Sequence, residues 1–486
     1  MKSPQTITTN GAAEASPQFS VGSLIYSRAG LFALFGWLLW GDFSFTLMET
    51  VWASVMPLHL RQFNASNTVI SLALVTIPQV MNLFLNPLIS TISDRFRSPI
   101  GRRIPFLLFA TPFVSGFLIL MGFSRQIGEI LGRWLRADQS DWISQESLSI
   151  IVVCSLIVGF RFFELFISTV YFYLFNDVVP EKLMGRFLGL FRIVGTTAGA
   201  LFNFFVLSYA ESHTSVIFIG AALVYGISFS LMCLKVKEGS YEPPPPMKET
   251  SRLAALGYLK DYFKTSFSHR IYFLIPLVTA LAAVGNCMAA FNVFFATSLG
   301  LSLDQYGKII AVSGLIAAAM SYPVGCLVDR FHPVRVMVIA KIGLLVLAGC
   351  WTNFLFFNYS SATTFWLYVT ISALSVPMLA AFNAAAIPLL MRCFPRAQYG
   401  QFCSAWAMFT AISTMIGSLL AGSFLDLMKA VYHGANFFYR YVPVWTFFFY
   451  AGSLVATLLL FREWKKLGGD HYVPPGSECT QVSDGE

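Results

Sequence analysis

Apolar residues in this chain come in long unbroken runs, separated by short polar loops, rather than at the spacing of half-buried elements. About 20 mostly apolar residues cross a bilayer as an α-helix. Twelve such runs lie at 31–58, 68–92, 104–123, 148–175, 187–209, 214–234, 271–298, 305–328, 334–356, 363–391, 400–428 and 440–461. Some exceed what a bilayer needs and are expected to tilt or protrude. The pattern predicts an all-α integral membrane protein with twelve transmembrane helices. The longest polar break between runs is 235–270, and it holds Pro243 to Pro246 in a row, which a helix interior does not accept. This break divides the chain into bundles at 30–234 and 271–462, six runs each, with polar tails at 1–29 and 463–486.

The two halves repeat each other. Between runs 2 and 3 stands Ser93-Asp94-Arg95, continuing to Gly101-Arg102-Arg103; between runs 8 and 9 stands Asp329-Arg330, continuing to Arg335. Between runs 4 and 5, Pro180, Gly185 and Phe187 fall in register with Pro395, Gly400 and Phe402 between runs 10 and 11. Internal repeats of this kind are a construction principle of membrane transporters.

Composition narrows the class. Hydrophobic residues make up 56% of the chain and charged residues only 12%, against about 25% charged in soluble domains. An ordinary soluble enzyme and a mostly disordered chain are both excluded. The 48 phenylalanines suit a lipid-facing surface. The net charge of +8 does not point to nucleic acid, because the basic residues cluster in loops between runs. With an even number of spans the termini share one side. Most Lys and Arg lie on that side, whereas the other holds only Arg61, Arg125, Arg133, Arg136, Lys429 and Arg440. The positive-inside rule therefore places both termini in the cytoplasm. The first 28 or so residues contain no apolar run, so targeting is expected to come from the first helix. Seven of the eight cysteines sit inside apolar runs or at their edge and read as small hydrophobes, not as a disulfide framework.

The Asp-Arg-basic loop in both halves resembles the signature loop of the major facilitator superfamily. The longer form from Ser93 to Phe106, with Asn176-Asp177-Val-Val-Pro180 and Gly185-Arg186, is similar to the branch of glycoside–pentoside–hexuronide and sucrose–proton symporters. The resemblance covers residues 30–462 or so. It implies two pseudo-symmetric six-helix bundles that rock about a midplane site. It also implies a cytoplasmic gate: Asp94, Arg95, Gly101, Arg102 and Arg103 from one half, Asp329, Arg330 and Arg335 from the other, joined by Asp177 and Arg186. The alternative for the arginines is that they only set topology by charge.

Ionisable residues within the runs are the sharper signal, because they are costly in a bilayer unless paired or hydrated. Asp42 lies about 16 Å along run 1 from Leu31, near the midplane. Glu49 is two turns further on the same face, with Thr46 between. Run 4 carries Arg161 at a similar depth and Glu164 one turn on. Runs 1 and 4 line the central cavity in the family, which implies a cluster of Asp42, Arg161 and Glu164 with Glu49 on its outer side. A spare carboxylate there could carry a proton or cation. Arg161 would either hold an anionic solute group or control carboxylate protonation; a purely structural Arg161–Glu164 pair is the alternative. Run 7 has Gly285-Asn286 where run 1 has Gly41-Asp42, and adds Asn292; run 10 adds Asn383. These amides suit hydroxyl groups, or else join helices, and Gln79 and Asn82 on run 2 carry the same two readings. Trp52, one turn from Glu49, is a candidate to stack on a sugar ring. Lys341 and Arg192, near run ends, are expected to reach for the interface.

The expectation is secondary active symport of a small hydrophilic solute, a sugar or glycoside, with protons or sodium as the coupling ion and no cofactor. The partners expected are the solute and membrane lipid, with no nucleic acid, and a monomer in the plasma membrane. An efflux antiporter and a non-transporting sensor are the alternatives. The stretch Gly195-Thr-Thr-Ala-Gly199 on run 5 lacks the proline of exporter motifs. No nucleophile–base pair, phosphate loop or metal constellation suggests an enzyme.

Overall fold

The computed structural model describes residues 19–136, 144–239, 241, 262, 264–432 and 436–475. Twelve helices are long and apolar enough to cross a membrane. Spans 1 to 6 are Arg28–Gln62, Asn67–Arg95, Ile104–Gly122, Gln145–Val178, Glu181–Phe205 and Thr214–Lys235. Spans 7 to 12 are Arg270–Ser298, Leu303–Arg330, Pro333–Phe356, Ser361–Cys393, Tyr399–Val431 and Phe437–Lys466. They match the twelve apolar runs one for one.

Local chemistry sets the helix starts. Ser27, Ser66, Ser144, Ser302 and Ser360 each accept a hydrogen bond from a first-turn backbone N–H, which satisfies donors that have no partner inside the helix. Ser302 and Gln305 form a reciprocal capping box. Two spans are interrupted. Span 2 widens to a π-helical segment over Leu72–Thr76. Pro78 lies just beyond, and a proline ring displaces the carbonyl one turn before it. Span 7 tightens to a 3-10 segment over Cys287–Phe291, between Asn286 and Asn292.

Two smaller elements add to the runs. Phe19–Val21 and Leu24–Tyr26 pair as an antiparallel hairpin just before span 1, turning at Gly22 with φ +55°. The hairpin packs against Gly239, beyond the end of span 6. Between spans 3 and 4 lies the helix Ser124–Arg136. Its exposed Ile130, Leu131 and Trp134 and its basic residues fit a helix lying in the membrane interface.

Large apolar side chains such as Phe32, Phe84, Trp366 and Phe448 point outward, as lipid-facing residues do. Burial inside is uneven. One apolar cluster runs through the first six spans and continues into the far-side ends of the second six, through Phe294, Phe295, Leu301 and Tyr439. A separate cluster fills the second bundle on the side that carries the termini, around Tyr272, Met337, Phe402 and Trp464. Among the described residues, the halves thus share a core only on the far side.

Candidate functional site

Span 4 brings Arg161 between two carboxylates. Its guanidinium donates to Glu164 at 3.0 Å, one turn along the same helix, and to Glu49 of span 1 at 3.4 Å. It also lies over the ring of Trp52, 4.6 Å from its centre. Trp52 stacks on Phe160 at 4.7 Å and is 3% exposed. Trp52 therefore supports the guanidinium from beneath and presents no open face to a sugar ring.

Asp42 stands apart from this group, contrary to the expected cluster of Asp42, Arg161 and Glu164. Its side chain is 1% exposed and faces span 5, where Gly195 leaves room for it. One carboxylate oxygen accepts from Thr46 at 3.2 Å, and the other is buried without a hydrogen-bond partner. The physical reason is the helix itself: seven residues from Asp42 to Glu49 are about 10 Å along the axis, and Arg161 reaches only the outer of the two.

Arg161 and Glu164 line a cavity of about 430 Å³ between spans 2 and 4. Gln79, Asn82 and Asn86 face them from span 2, with Ser168 and Thr169 from span 4. The second half has its own cavity of about 300 Å³. Asn286 and Asn292 line it with Trp351, Tyr368 and Tyr450, and the Tyr450 hydroxyl donates to Asn286 at 2.6 Å. Both cavities sit at the lower end of the range for small-molecule sites. Asn383 is exposed and lines neither.

Lys341 departs from expectation. It is 0% exposed and does not reach for the interface. Its ammonium lies 3.8 Å from the centre of the Phe382 ring and 4.4 Å from that of Tyr450, with no hydrogen-bond partner. Aromatic faces replace water and a counter-ion around this cation. Arg192 is exposed.

On the terminal side, the signature residues pair within their own half. Arg102 forms a bidentate pair with Asp177 at 2.9 and 2.5 Å, which holds its guanidinium even more firmly charged. Arg103, 4% exposed, reaches Asp94, Ser93 at 2.6 Å and Asp177 at 3.1 Å. Glu238, beyond the end of span 6, accepts from the backbone N–H groups of Arg102, Arg103 and Ile104 at 2.9, 2.8 and 2.7 Å. This carboxylate caps the start of span 3. It fits because Gly101 has φ +120° and no side chain; a Cβ there would stand 2.5 Å from Glu238. In the second half Arg335 pairs with Asp470 at 2.8 Å, and Asp329 and Arg330 are exposed, as is Arg186 of the first half. Among the described residues, no ion pair joins the two halves on this side. The expected clamp across the halves is therefore not made among the described residues in this conformation.

The far side is closed instead, by a residue the sequence reading passed over. Asp426 of span 11 accepts four hydrogen bonds from the start of span 2. They come from the backbone and side chain of Asn67 at 2.9 and 2.8 Å, and from those of Thr68 at 2.8 and 2.6 Å. Tyr439 donates to Asn67 at 3.0 Å, and Thr76 meets Ser418 at 2.7 Å. Gly422 lets the spans touch, since a Cβ there would stand 2.6 Å from the Asn67 carbonyl. The visible signal was an acid at the far end of an apolar run, opposite a Ser-Asn-Thr helix start.

Twelve spans in two bundles, sealed on one side around charged and amide-lined cavities, define the major facilitator fold of membrane transporters. Residues 277–471 match the Major Facilitator Superfamily. No curated protein matches the chain by sequence. Among solved structures, the chain is similar to a bacterial homologue of the human lysosomal transporter Spinster, inward-facing and unoccupied. Identity is 15% and the TM-score 0.67, over 91% of this chain and 99% of that one. It is also similar to a variant of the nucleoside transporter NupG, at 15% identity and TM-score 0.63 over 88% and 99%. A D-xylose–proton symporter follows at 12% identity and TM-score 0.59 over 89% and 97%. At these identities the likeness concerns the fold.

Proposed function

We propose that the protein is a secondary active transporter that carries a small hydrophilic solute, a sugar or glycoside, by alternating access in symport with protons. The observation that carries this reading is Arg161 held between Glu49 and Glu164 on a cavity wall. Two carboxylates share one guanidinium, so one negative charge is in excess, and a proton taken up there neutralises it. With both acids on the Nη1 of Arg161, the cluster carries a net negative charge that disfavours an anionic sugar; the solute is a neutral polyhydroxyl compound. Its hydroxyls would meet Gln79, Asn82 and Ser168 in one half and Asn286 and Asn292 in the other. The far-side seal and the separate terminal-side cores correspond to the state open toward the termini, which the charge asymmetry reads as cytoplasmic. The xylose–proton symporter and nucleoside transporter among the similar structures accord with a solute of this class.

The test is solute-driven proton flux in reconstituted vesicles, with neutral monosaccharides, disaccharides and uronic acids, comparing wild type with Glu164→Gln. Proton entry driven by a neutral sugar in wild type, and lost in the variant, supports the reading. Sugar uptake without proton movement refutes the coupling and makes sodium the next ion to test. A response to uronic acids alone refutes the neutral solute.

A further inference from the structure

The repeat that relates the two halves carries a charge exchange. Aligned on Pro180 and Pro395, Asp177 stands where the second half has Arg392, and Glu181 where it has Arg396. In the first half, Asp177 and Glu238 neutralise the arginine loop (Arg102 and Arg103) and fill the space around it. The second half keeps one such pair, Arg335 with Asp470, but puts cations where the other acids stood.

A cavity of about 910 Å³ opens at that place. Four basic side chains line it from four separate stretches: His269 before span 7, His332 at the start of span 9, Arg392 near the end of span 10 and Arg396 beyond it. Asp470, the carboxylate among its described lining residues, is engaged by Arg335 at 2.8 Å. Neither Arg392 nor Arg396 forms an ion pair with a described residue. The segment after span 12 walls the cavity. It turns back at Gly468 and Gly469, both at positive φ. The Tyr472 hydroxyl then donates to the Cys393 carbonyl at 3.0 Å, and that of Tyr272 donates to the Pro475 carbonyl at 2.8 Å. The ring of His332 stacks on Trp464 at 4.4 Å, and its Nδ1 accepts from the Val334 N–H at 3.4 Å, which leaves Nε2 to carry the proton. Burial first, then Arg392, lowers the His332 pKa to about 4, with Asp470 opposing and Arg335 adding to the effect. Membrane topology calls for positive charge on this side, but not for its convergence from four stretches on one cavity.

We propose that this terminal-side cavity of the second half binds a phosphate-bearing anion, with Arg392 and Arg396 as its charge partners and His332 as a donor. Guanidinium pairs match phosphate geometry, and the bound group restores the negative charge that Asp177 supplies in the first half. A soluble phosphate ester and the phosphate of an anionic lipid present the same chemistry. The site does not depend on the transport reading.

Thermal unfolding of the full-length protein tests this. In detergent, inorganic phosphate is titrated against sodium chloride at equal ionic strength. In nanodiscs without phosphate, phosphatidylglycerol is compared with phosphatidylcholine. The variants are Arg392→Asp, which copies the first half, and the double change Arg392→Gln with Arg396→Gln, should the first fold poorly. Phosphate is expected to stabilise wild type beyond chloride, with an affinity about tenfold or more weaker in the variants. In the protein labelled at histidine, phosphate is expected to raise the titration midpoint of His332, assigned with His332→Gln. A response to free phosphate supports a soluble ester. A response to phosphatidylglycerol alone, lost in the variants, supports a lipid headgroup. Equal effects of phosphate and chloride with no lipid effect, or variants that respond as wild type does, overturn the site.

Discussion

The first bundle pairs its arginines with acids, Arg161 with Glu49 and Glu164, Arg102 and Arg103 with Asp177, and leaves Asp42 apart. The second bundle surrounds its interior cation, Lys341, with the rings of Phe382 and Tyr450, and lines its cavity with amides and aromatic groups. The repeat keeps the helix geometry of the two halves alike. Gly41 packs on Met232 of span 6 as Gly285 packs on Tyr450 of span 12. Yet the residue after each glycine is an acid in one half and an amide in the other. Geometry is inherited by both halves, whereas charge is placed independently in each. This fits a division in which one half handles the coupling ion and both contribute to the solute.

The comparison can be broken by removing charges. Arg161→Leu leaves Glu49 and Glu164 facing each other in the span interior. It is expected to abolish transport and to destabilise the fold by about 3–5 kcal/mol. Asn286→Ala, at the amide-lined cavity of the second half, removes one hydrogen bond from Tyr450 and is expected to cost about 1 kcal/mol. Thermal unfolding of both, with uptake into vesicles, measures the difference; equal costs would mean that the halves carry charge alike.

The terminal-side pairs offer a second contrast. Asp177→Asn deprives buried Arg103 and its neighbour Arg102 of their shared partner, for an expected loss of about 2–3 kcal/mol. Asp470→Asn removes an exposed pair, worth at most about 1 kcal/mol. Denaturation midpoints of the two variants side by side would decide whether the first cluster is the stiffer one.

The seal between the halves should respond to Asp426→Asn, which exchanges a charged acceptor of four hydrogen bonds for a neutral one. A bias of about 2 kcal/mol toward the state open on the far side, more than tenfold in population, is expected. Spin-label distances between the far-side ends of spans 2 and 11 report it; an unchanged distribution would place the seal elsewhere.

The smallest effect concerns pH. His332 has its pKa lowered from 6.5 to about 4 in the folded chain, so the unfolded chain binds the proton more readily between these values. Its contribution is full above pH 6.5 and is lost as pH falls through the window toward 4. His332→Gln should flatten the stability profile over that range, seen in unfolding midpoints at a series of pH values.

The twelve spans were legible because the bilayer imposes a length and a polarity that any apolar run declares by itself; most of the break at 235–270 lies outside the described residues. Glu49, Arg161 and Glu164 were legible for a related reason: charges within such runs are rare enough to stand out. The sequence could not say which charges meet. Asp42 and Glu49 share a helix face, yet only Glu49 reaches Arg161, because contact depends on the depth at which spans 1 and 4 cross. Lys341 looked like a residue near a span end, but rings from spans 10 and 12 close over it. The sequence did not show which groups Asp426 and Glu238 meet, since the partners lie 358 and 359 residues away for one and 134 to 136 for the other. The sequence by itself determined the number and extent of the spans and the inventory of charges, because hydrophobic length is a local property. Only the tertiary structure decided which charge is paired, caged in aromatic rings or left open to an anion, because those outcomes depend on how separate helices cross.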